Sequence, residues 1–310
     1  MIHVCFGLYD KTGRYSKFTG TAMLSIFENI NTPPRSVTIH ILHDNTLTLD
    51  NREKFSYVAG QYNQLVKFYN VEELCADKLS EIKKILTGAV NSRYSIATLY
   101  RLIIPQILSD DIEKAIYLDS DIIVNLDIKE LWQIELGDKP LAAADEIRVD
   151  SFSHPINASK KYLITDGFVD YNDYFNAGVL LMNLKFLRDK ENLIMDGVKF
   201  VGEHPQLTLF DQDILNYLFS KSYIKLDEKF DSFISEARHR KETKCYRRIY
   251  HFAGEEPRMD MSDPFNRLWM KYFAKTPWFD EETIGNLYTS VQGLHVGLKN
   301  FAAQVSAMMS

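Results

Sequence analysis

The chain has 310 residues, with 36 Lys+Arg against 42 Asp+Glu and a formal net charge of −6. Its 45% hydrophobic and 25% charged residues are ordinary for a globular protein and exclude a disordered chain, a collagen-like repeat and a coiled coil. The mild negative balance argues against a nucleic-acid partner, whose binder normally carries a basic stripe or patch that releases counterions. The length accommodates two domains or one large α/β domain. Such a chain buries enough surface to fold without disulfide staples. Cys5, Cys75 and Cys245 are odd in number and far apart, which points to a reducing compartment. The N-terminal MIHVCFGLYD has no basic leader or signal-type apolar core. No run approaches the roughly 18 apolar residues of a spanning helix. A soluble, cytoplasmic protein is expected, at most peripheral to a membrane.

Strand-like and helix-like blocks alternate from the start. Ile2–Phe6 reads as a buried strand ending at Gly7. Phe18, Ala22, Ile26 and Ile30 recur at helical spacing until Pro33-Pro34. Val37–Leu42 predicts a second strand, Leu49–Tyr62 a helix and Gln64–Tyr69 a third strand. Ser95–Leu108 predicts a helix kinked or shortened by Pro105, followed by a strand at Ala115–Leu118. Asp145–Asp173 is polar and suits a long functional loop. Phe175–Leu184 returns to a buried strand, Leu184–Phe200 to a helix and Ile249-Tyr250 to a short strand. From about Asp263 the apolar spacing is helical, through Trp269, Trp278, Ile284 and beyond. This rhythm predicts a mostly parallel, Rossmann-like sheet with helices on both faces. Ligands of such sheets bind beyond the carboxyl ends of the strands.

The sharpest chemical signal is Ala115-Ile116-Tyr117-Leu118-Asp119-Ser120-Asp121. In extended backbone, residues two apart point the same way, so Asp119 and Asp121 converge at the end of a buried strand. Two close carboxylates favour a hard divalent cation such as Mn²⁺ or Mg²⁺. That cation could hold a diphosphate leaving group. The competing reading is a surface turn with two solvated acids, and the buried strand before them disfavours it. His251 follows the apolar Ile249-Tyr250, and a neutral imidazole is a natural third ligand. A core histidine bonded to a carbonyl is its alternative. Gly254, three residues on, lets backbone approach a phosphate. Asn176 opens a buried strand with Asn-Ala-Gly; in isolation this reads as a strand with a polar cap, and the alternative is an amide that donates to and accepts from sugar hydroxyls. Asp211 and Gln212 lie in Asp211-Gln212-Asp213, where Asp211 could cap a helix or both could face a substrate.

Together YLDSDIIV, YFNAGVLLMNL, DQDILN and HFAG, in that order, resemble glycosyltransferase family 8. That family includes bacterial lipopolysaccharide galactosyl- and glucosyltransferases and glycogenin. The resemblance spans about Ile2 to Trp269. It implies a GT-A fold over residues 1–262 with a helical extension over 263–310. It also implies a UDP-sugar donor, UDP-glucose or UDP-galactose, Mn²⁺ with Mg²⁺ as the substitute, and transfer to a saccharide or glycoconjugate with retention of anomeric configuration. On this pattern Asp119, Asp121 and His251 bind the metal, with Ser120 between the acids. Arg101 lies near the donor diphosphate and sugar, and Asp145 is an acid on the sugar side. Asn176, Asp211 and Gln212 contact the sugar, Gln212 on the reactive face of the anomeric carbon. Gly254 contacts a phosphate. Two stretches depart from the pattern. The base-binding DDNY is replaced by Gly7-Leu8-Tyr9-Asp10 and a longer loop, Lys11–Tyr15, so Asp10 becomes the expected base contact. The Lys-Pro-Trp after HxxG is replaced by Glu255-Glu256-Pro257-Arg258-Met259, so either Arg258 becomes the expected phosphate contact, one position late, or donor binding is weaker.

A haloacid-dehalogenase-type phosphatase also places DxD after a strand, but near the start of its domain. A nucleotidyltransferase shares the metal logic but opens with a Gly-rich basic loop that this chain lacks. A non-enzymatic sugar-nucleotide-binding module is the third option, and the full set Asp119, Asp121, His251 disfavours it. The basic run Arg238–Arg248 reads as a solvated loop, with a phosphorylated acceptor or an anionic membrane surface as its alternative. The amphipathic stretch Thr283–Met309 is expected to pack on the core or on a second copy of the chain, ahead of a weak membrane contact.

Overall fold

A computed structural model of the chain describes residues 1–86, 96–147, 155–258 and 260–280, with 284, 285, 289 and 293 beyond them. The expected stretch Thr283–Met309 lies almost wholly outside the described residues. Ten strands form two sheets among the described residues: β1 (Ile2–Leu8), β2 (Val37–His43), β3 (Leu65–Asn70), β4 (Lys114–Leu118), β5 (Ile122–Val124), β6 (Leu141–Asp145), β7 (Phe175–Asn183), β8 (Ile224–Lys225), β9 (Ser232–Phe233) and β10 (Ile249–His251). The large sheet runs β3-β2-β1-β4-β7-β6-β8 and the small one β5-β10-β9. In the large sheet β7 alone runs antiparallel to its neighbours.

The central strands are apolar on both faces because helices cover both. Val4, Phe6 and Leu8 of β1 point into one core, with the helix Arg14–Asn29 and the late helix Pro264–Phe273. Cys5 points into the other, with the helices Tyr100–Ile107, Glu191–Glu203 and Phe210–Phe219. The Asp263 carboxylate caps the late helix by accepting from the Phe265 and Asn266 N–H groups, and Pro264 takes its first turn. Trp269 and Trp278 both enter the first core, so residues 263–280 share it with the strands before them. Trp278 is not on a helix. Its indole N–H donates to Asn51 at 2.8 Å.

Three expectations change. The stretch 145–173 contains a helix, Pro155–Thr165, with residues 148–154 outside the described set. Its buried face carries Ser159 and Lys160 beside Leu163, and polar residues there hide the helical period. Ser159 is buried because its hydroxyl accepts from the Thr208 N–H at 2.9 Å. The segment after β7 is two helices, Leu184–Arg188 and Glu191–Glu203, rather than one. The helix over Pro105 ends at Ile107 and is preceded by a 3₁₀ turn, Ile96–Leu99.

The basic run meets acids. Arg238 pairs with Glu255 and Asp263, Arg240 with Glu228, Arg247 with Glu130, and Arg248 with Glu242. No described helix is long and apolar enough to cross a membrane.

Candidate active site

The chain passes from the large sheet to the small one through Asp119-Ser120-Asp121, between the end of β4 and the start of β5. The Asp119 N–H donates to the Gly178 carbonyl on β7 at 2.8 Å, which holds the turn against the sheet. β10 pairs antiparallel to β5 with His251 opposite Ile122, and the Phe252 N–H donates to the Asp121 carbonyl at 2.9 Å. This register carries His251 to the acids across 130 residues of sequence. The His251 Nε2 lies 3.4 Å from Asp121 Oδ1 and 3.7 Å from Asp119 Oδ2. One donor atom from each of the three lies within 4.8 Å of the others. Two carboxylate oxygens and an imidazole nitrogen form a donor set that fits Mn²⁺ or Mg²⁺.

Further side chains fix these three. The buried Asp231 carboxylate meets His251 Nδ1 at 2.9 Å, and Phe233 stacks on the ring. Such a partner holds Nδ1–H and turns Nε2 toward the two acids, where a bound cation would take the place of its proton. Burial disfavours the imidazolium, but Asp231 and Asp121 outweigh it and push the His251 pKa up to about 10. Arg101 is buried, with its guanidinium 4.3 Å over the Tyr117 ring. It donates to Asp119 at 2.8 Å and to the Ala177 carbonyl, and Nε lies 3.0 Å from both the Thr98 carbonyl and Asp211 Oδ2. Tyr117 also donates to Asp119, at 2.8 Å. The Ser120 hydroxyl accepts from Thr19 at 2.8 Å and ties the turn to the first helix.

Gly178 makes the assembly sterically feasible. A Cβ there would fall 2.3 Å from His251 Cε1 and 2.9 Å from both Asp119 Oδ2 and Asn176 Oδ1. Gly254 has φ +83, a left-handed turn that puts bare backbone on the cavity wall.

The triad opens onto a cavity of about 380 Å³ at the carboxyl ends of β1 and β4, where the strand order reverses. Its walls bring together Arg101, Asp119, Ser120, Asp121, Asn176, Asp211, Gln212, His251 and Gly254. Tyr9, Tyr15, Phe18 and Arg14 complete one side.

The polar floor is internally bonded. The Asn176 amide nitrogen donates to Glu146 at 2.8 Å and Gln212 at 3.0 Å, and its oxygen accepts from the Gly178 N–H at 2.7 Å. The Gln212 oxygen also accepts from the Ala177 N–H at 3.1 Å, and its nitrogen donates to Tyr174 at 3.2 Å. Asp211 sits in the first turn of its helix but does not cap it. Asp213 instead accepts from the Leu209 N–H at 2.9 Å. Burial pushes the Asp211 carboxyl up to about 7, against the pull of Arg101.

Three expected site residues lie elsewhere. Asp10 is buried in the loop after β1, where it accepts from the Tyr15 N–H, the Ser16 hydroxyl and the Asn51 amide. Its carboxylate organises the loop, and Tyr9 and Tyr15 reach the cavity instead. Asp145 pairs with Lys225 at 2.6 Å and accepts from Tyr223 at 3.3 Å, outside the cavity lining. β6 shifts register between Ala143 and Asp145, and the buried Glu146 one residue on is the acid that meets Asn176. Arg258 is exposed and outside the lining, and its N–H donates to Asn266 at 3.0 Å. Glu255 and Glu256 line the cavity there instead.

Sequence reasoning missed Asp231, Glu146, Arg14 and Tyr15. Asp231 carried a signal, an acid isolated among Phe230, Ser232 and Phe233. Tyr15 carried none beyond its place in the longer loop.

The sequence profile of Glycosyl transferase family 8 matches residues 8–256. The chain is 26% identical over 290 residues to General stress protein A of Bacillus subtilis, covering 88% of this chain and 93% of that protein. It is 30% identical over 194 residues to a putative glycosyltransferase of Haemophilus influenzae, covering 62% and 53%. It is 26% identical over 206 residues to the lipopolysaccharide 1,3-galactosyltransferase of Salmonella typhimurium, covering 66% and 56%. The chain thus spans just over half of the latter two. The solved galactosyltransferase LgtC, in complex with donor and acceptor sugar analogues, superposes with a TM-score of 0.68 at 23% identity, over 92% of this chain and 99% of that one. The bifunctional WbbM superposes at 0.67 and 18% identity, over 93% and 51%. These structural likenesses establish the fold, which is GT-A.

Proposed function

The chain belongs to glycosyl transferase family 8, and from that premise we propose that it transfers a hexosyl group, glucosyl or galactosyl, from a UDP-sugar to a saccharide or glycoconjugate acceptor, with retention. The observation that carries this reading is the convergence of Asp119, Asp121 and His251 on one point of the cavity wall. A divalent ion bound there, Mn²⁺ or in its place Mg²⁺, supplies neutralising charge for the diphosphate as it leaves. The protein acts in the cytoplasm in this proposal, in lipopolysaccharide or other cell-surface glycan synthesis.

The chain's own residues divide the work. Asp231 sets the tautomer and tilt of His251, and Arg101 holds Asp119 from behind. Gly254 offers backbone to a phosphate, and the exposed ring of Tyr15 offers a platform for a nucleobase. Asn176 and Gln212 form the sugar-facing floor, kept rigid by Glu146 and Tyr174. Rigid donors and acceptors of this kind stabilise charge as it develops.

Retention requires either attack from the face the diphosphate leaves or a covalent intermediate on a carboxylate opposite. Gln212 is a neutral amide and a poor nucleophile. Asp211 is buried and tied to Arg101, which keeps its carboxylate from acting as a free nucleophile. Front-face transfer is the route these residues favour, with Gln212 placing its amide dipole against the positive charge on the sugar ring.

A screen of UDP-sugars for hydrolysis with Mn²⁺ tests the reading, with EDTA as the control. Hydrolysis of UDP-glucose or UDP-galactose, lost in Asp119→Asn and Asp121→Asn, is expected. A product of inverted anomeric configuration by NMR, or a glycosyl adduct on Asp211 by mass spectrometry, would overturn the front-face route.

A further inference from the structure

We infer that Arg14 is the cation that receives the donor's diphosphate, and that Glu256 holds its guanidinium at the cavity mouth until the diphosphate displaces it. The inference rests on the transferase reading above and names a phosphate contact that the sequence pattern had put at Arg258.

Charge on the cavity wall leads to it. The described lining carries five carboxylates, Asp119, Asp121, Asp211, Glu255 and Glu256, against two guanidiniums, Arg14 and Arg101. Arg101 is buried and committed to Asp119, Asp211 and two backbone carbonyls. Glu255 is committed to Arg238. At the rim that leaves the pair of Arg14 with Glu256, whose side chains are 47% and 57% exposed. A diphosphate on the metal triad carries charge that one divalent ion does not cancel, and Arg14 is the lining cation not already enclosed.

Geometry supports the placement. Arg14 is the first residue of the helix that follows the longer N-terminal loop, and its guanidinium lies 5.6 Å from the Phe18 ring centroid. Phe18 packs edge-on against Trp269, which is buried in the core. The stem of Arg14 is therefore held at the rim while its head faces solvent. Glu256 follows the left-handed turn at Gly254. The two stretches that depart from the family pattern, 11–15 and 255–259, thus meet through one ion pair.

The pair is suited to exchange. An exposed carboxylate–guanidinium pair is weak because water and salt screen it. A diphosphate offers the planar guanidinium a bidentate partner of higher charge. Its arrival also repels the Glu256 carboxylate. Glu256 thus keeps Arg14 oriented in the empty enzyme and competes with the donor for it.

Isothermal titration of UDP and of uridine in Mn²⁺ buffer tests this on wild type, Arg14→Ala, Arg14→Lys, Glu256→Gln and the double variant Arg14→Ala/Glu256→Gln. All four changes are at exposed positions, and a thermal melt verifies folding. Arg14→Ala is expected to weaken UDP about tenfold, as loss of a charge-assisted bidentate contact does, and to leave uridine unchanged. Arg14→Lys should recover part of the loss. Glu256→Gln should tighten UDP about two- to fivefold by removing the competitor, and that gain should vanish without Arg14. Wild-type UDP affinity in Arg14→Ala, or an equal loss for uridine, would overturn the phosphate role. Weaker UDP binding in Glu256→Gln, or a gain that persists in the double variant, would overturn the displacement by the donor. A wild-type protein that binds no UDP would instead overturn the transferase reading beneath both.

Discussion

Gly178→Ala is a single-methyl test of the whole site. The added Cβ would stand 2.3 Å from His251 Cε1, against an ordinary contact distance of 3.4 Å. The imidazole would have to retreat by 3.4 − 2.3 = 1.1 Å. It has little room to do so, because Nδ1 is bonded to Asp231 at 2.9 Å, Phe233 stacks on the ring, and β10 is paired on both sides. Asp119 Oδ2 and Asn176 Oδ1 are each 2.9 Å from the same methyl, and Arg101 and Glu146 hold those side chains. Overpacking of this kind costs about 1–3 kcal/mol of stability. A metal ligand displaced by about 1 Å should lower Mn²⁺ affinity roughly 10–100-fold, the range seen when the partner orienting a ligand is lost. Electron paramagnetic resonance titration of Mn²⁺ with UDP present reads the affinity, and a thermal melt reads the stability. A folded Gly178→Ala protein with wild-type Mn²⁺ affinity would refute the claim that these three side chains converge on one metal through the space over Gly178.

Asp231→Ala should lower Mn²⁺ affinity about 10–100-fold, and Asp231→Asn should keep part of it because the amide oxygen still accepts from Nδ1–H; the same resonance titration decides, and equal losses in both would show that charge rather than orientation matters. Asp213 gives a pH signature of stability. Burial pushes its carboxyl from 3.8 up to about 6, above its unfolded value. The stability it contributes is therefore present below about pH 4 and lost as pH rises through 6, on the order of 3 kcal/mol in all. Urea unfolding from pH 4 to 7 should show a flatter profile in Asp213→Asn, and an unchanged slope would count against the shift. Trp278→Ala should cost about 3–5 kcal/mol in the same assay, because the indole is buried against Phe55 and bonded to Asn51. A cost below 1 kcal/mol would show that residues after 273 dock only loosely.

Much of this protein was determined by sequence that is local in effect. An apolar run closed by Asp119-Ser120-Asp121 makes a strand end with two acids wherever it lies in the fold, and period and turn residues set the strands Ile2–Leu8, Val37–His43 and Phe175–Asn183 within a residue or two of expectation. The triad was legible because its members sit at strand boundaries. Only the tertiary structure decided what stands behind and across from it. Asp231 became the partner of His251 because β9 and β10 pair in parallel, with His251 opposite Phe233. Glu146 rather than Asp145 reached Asn176 just past the register shift in β6 between Ala143 and Asp145, and no single-residue pattern announces such a shift. Asp10 turned away from the cavity because the Tyr15 N–H, Ser16 and Asn51 satisfied it first. Arg14 and Glu256, 242 positions apart, met because both loops close over the same strand ends. A polar side chain carries no periodic trace of its partner. Its role is set by whichever donor or acceptor the folded chain brings within about 3 Å, and that is a property of the packing.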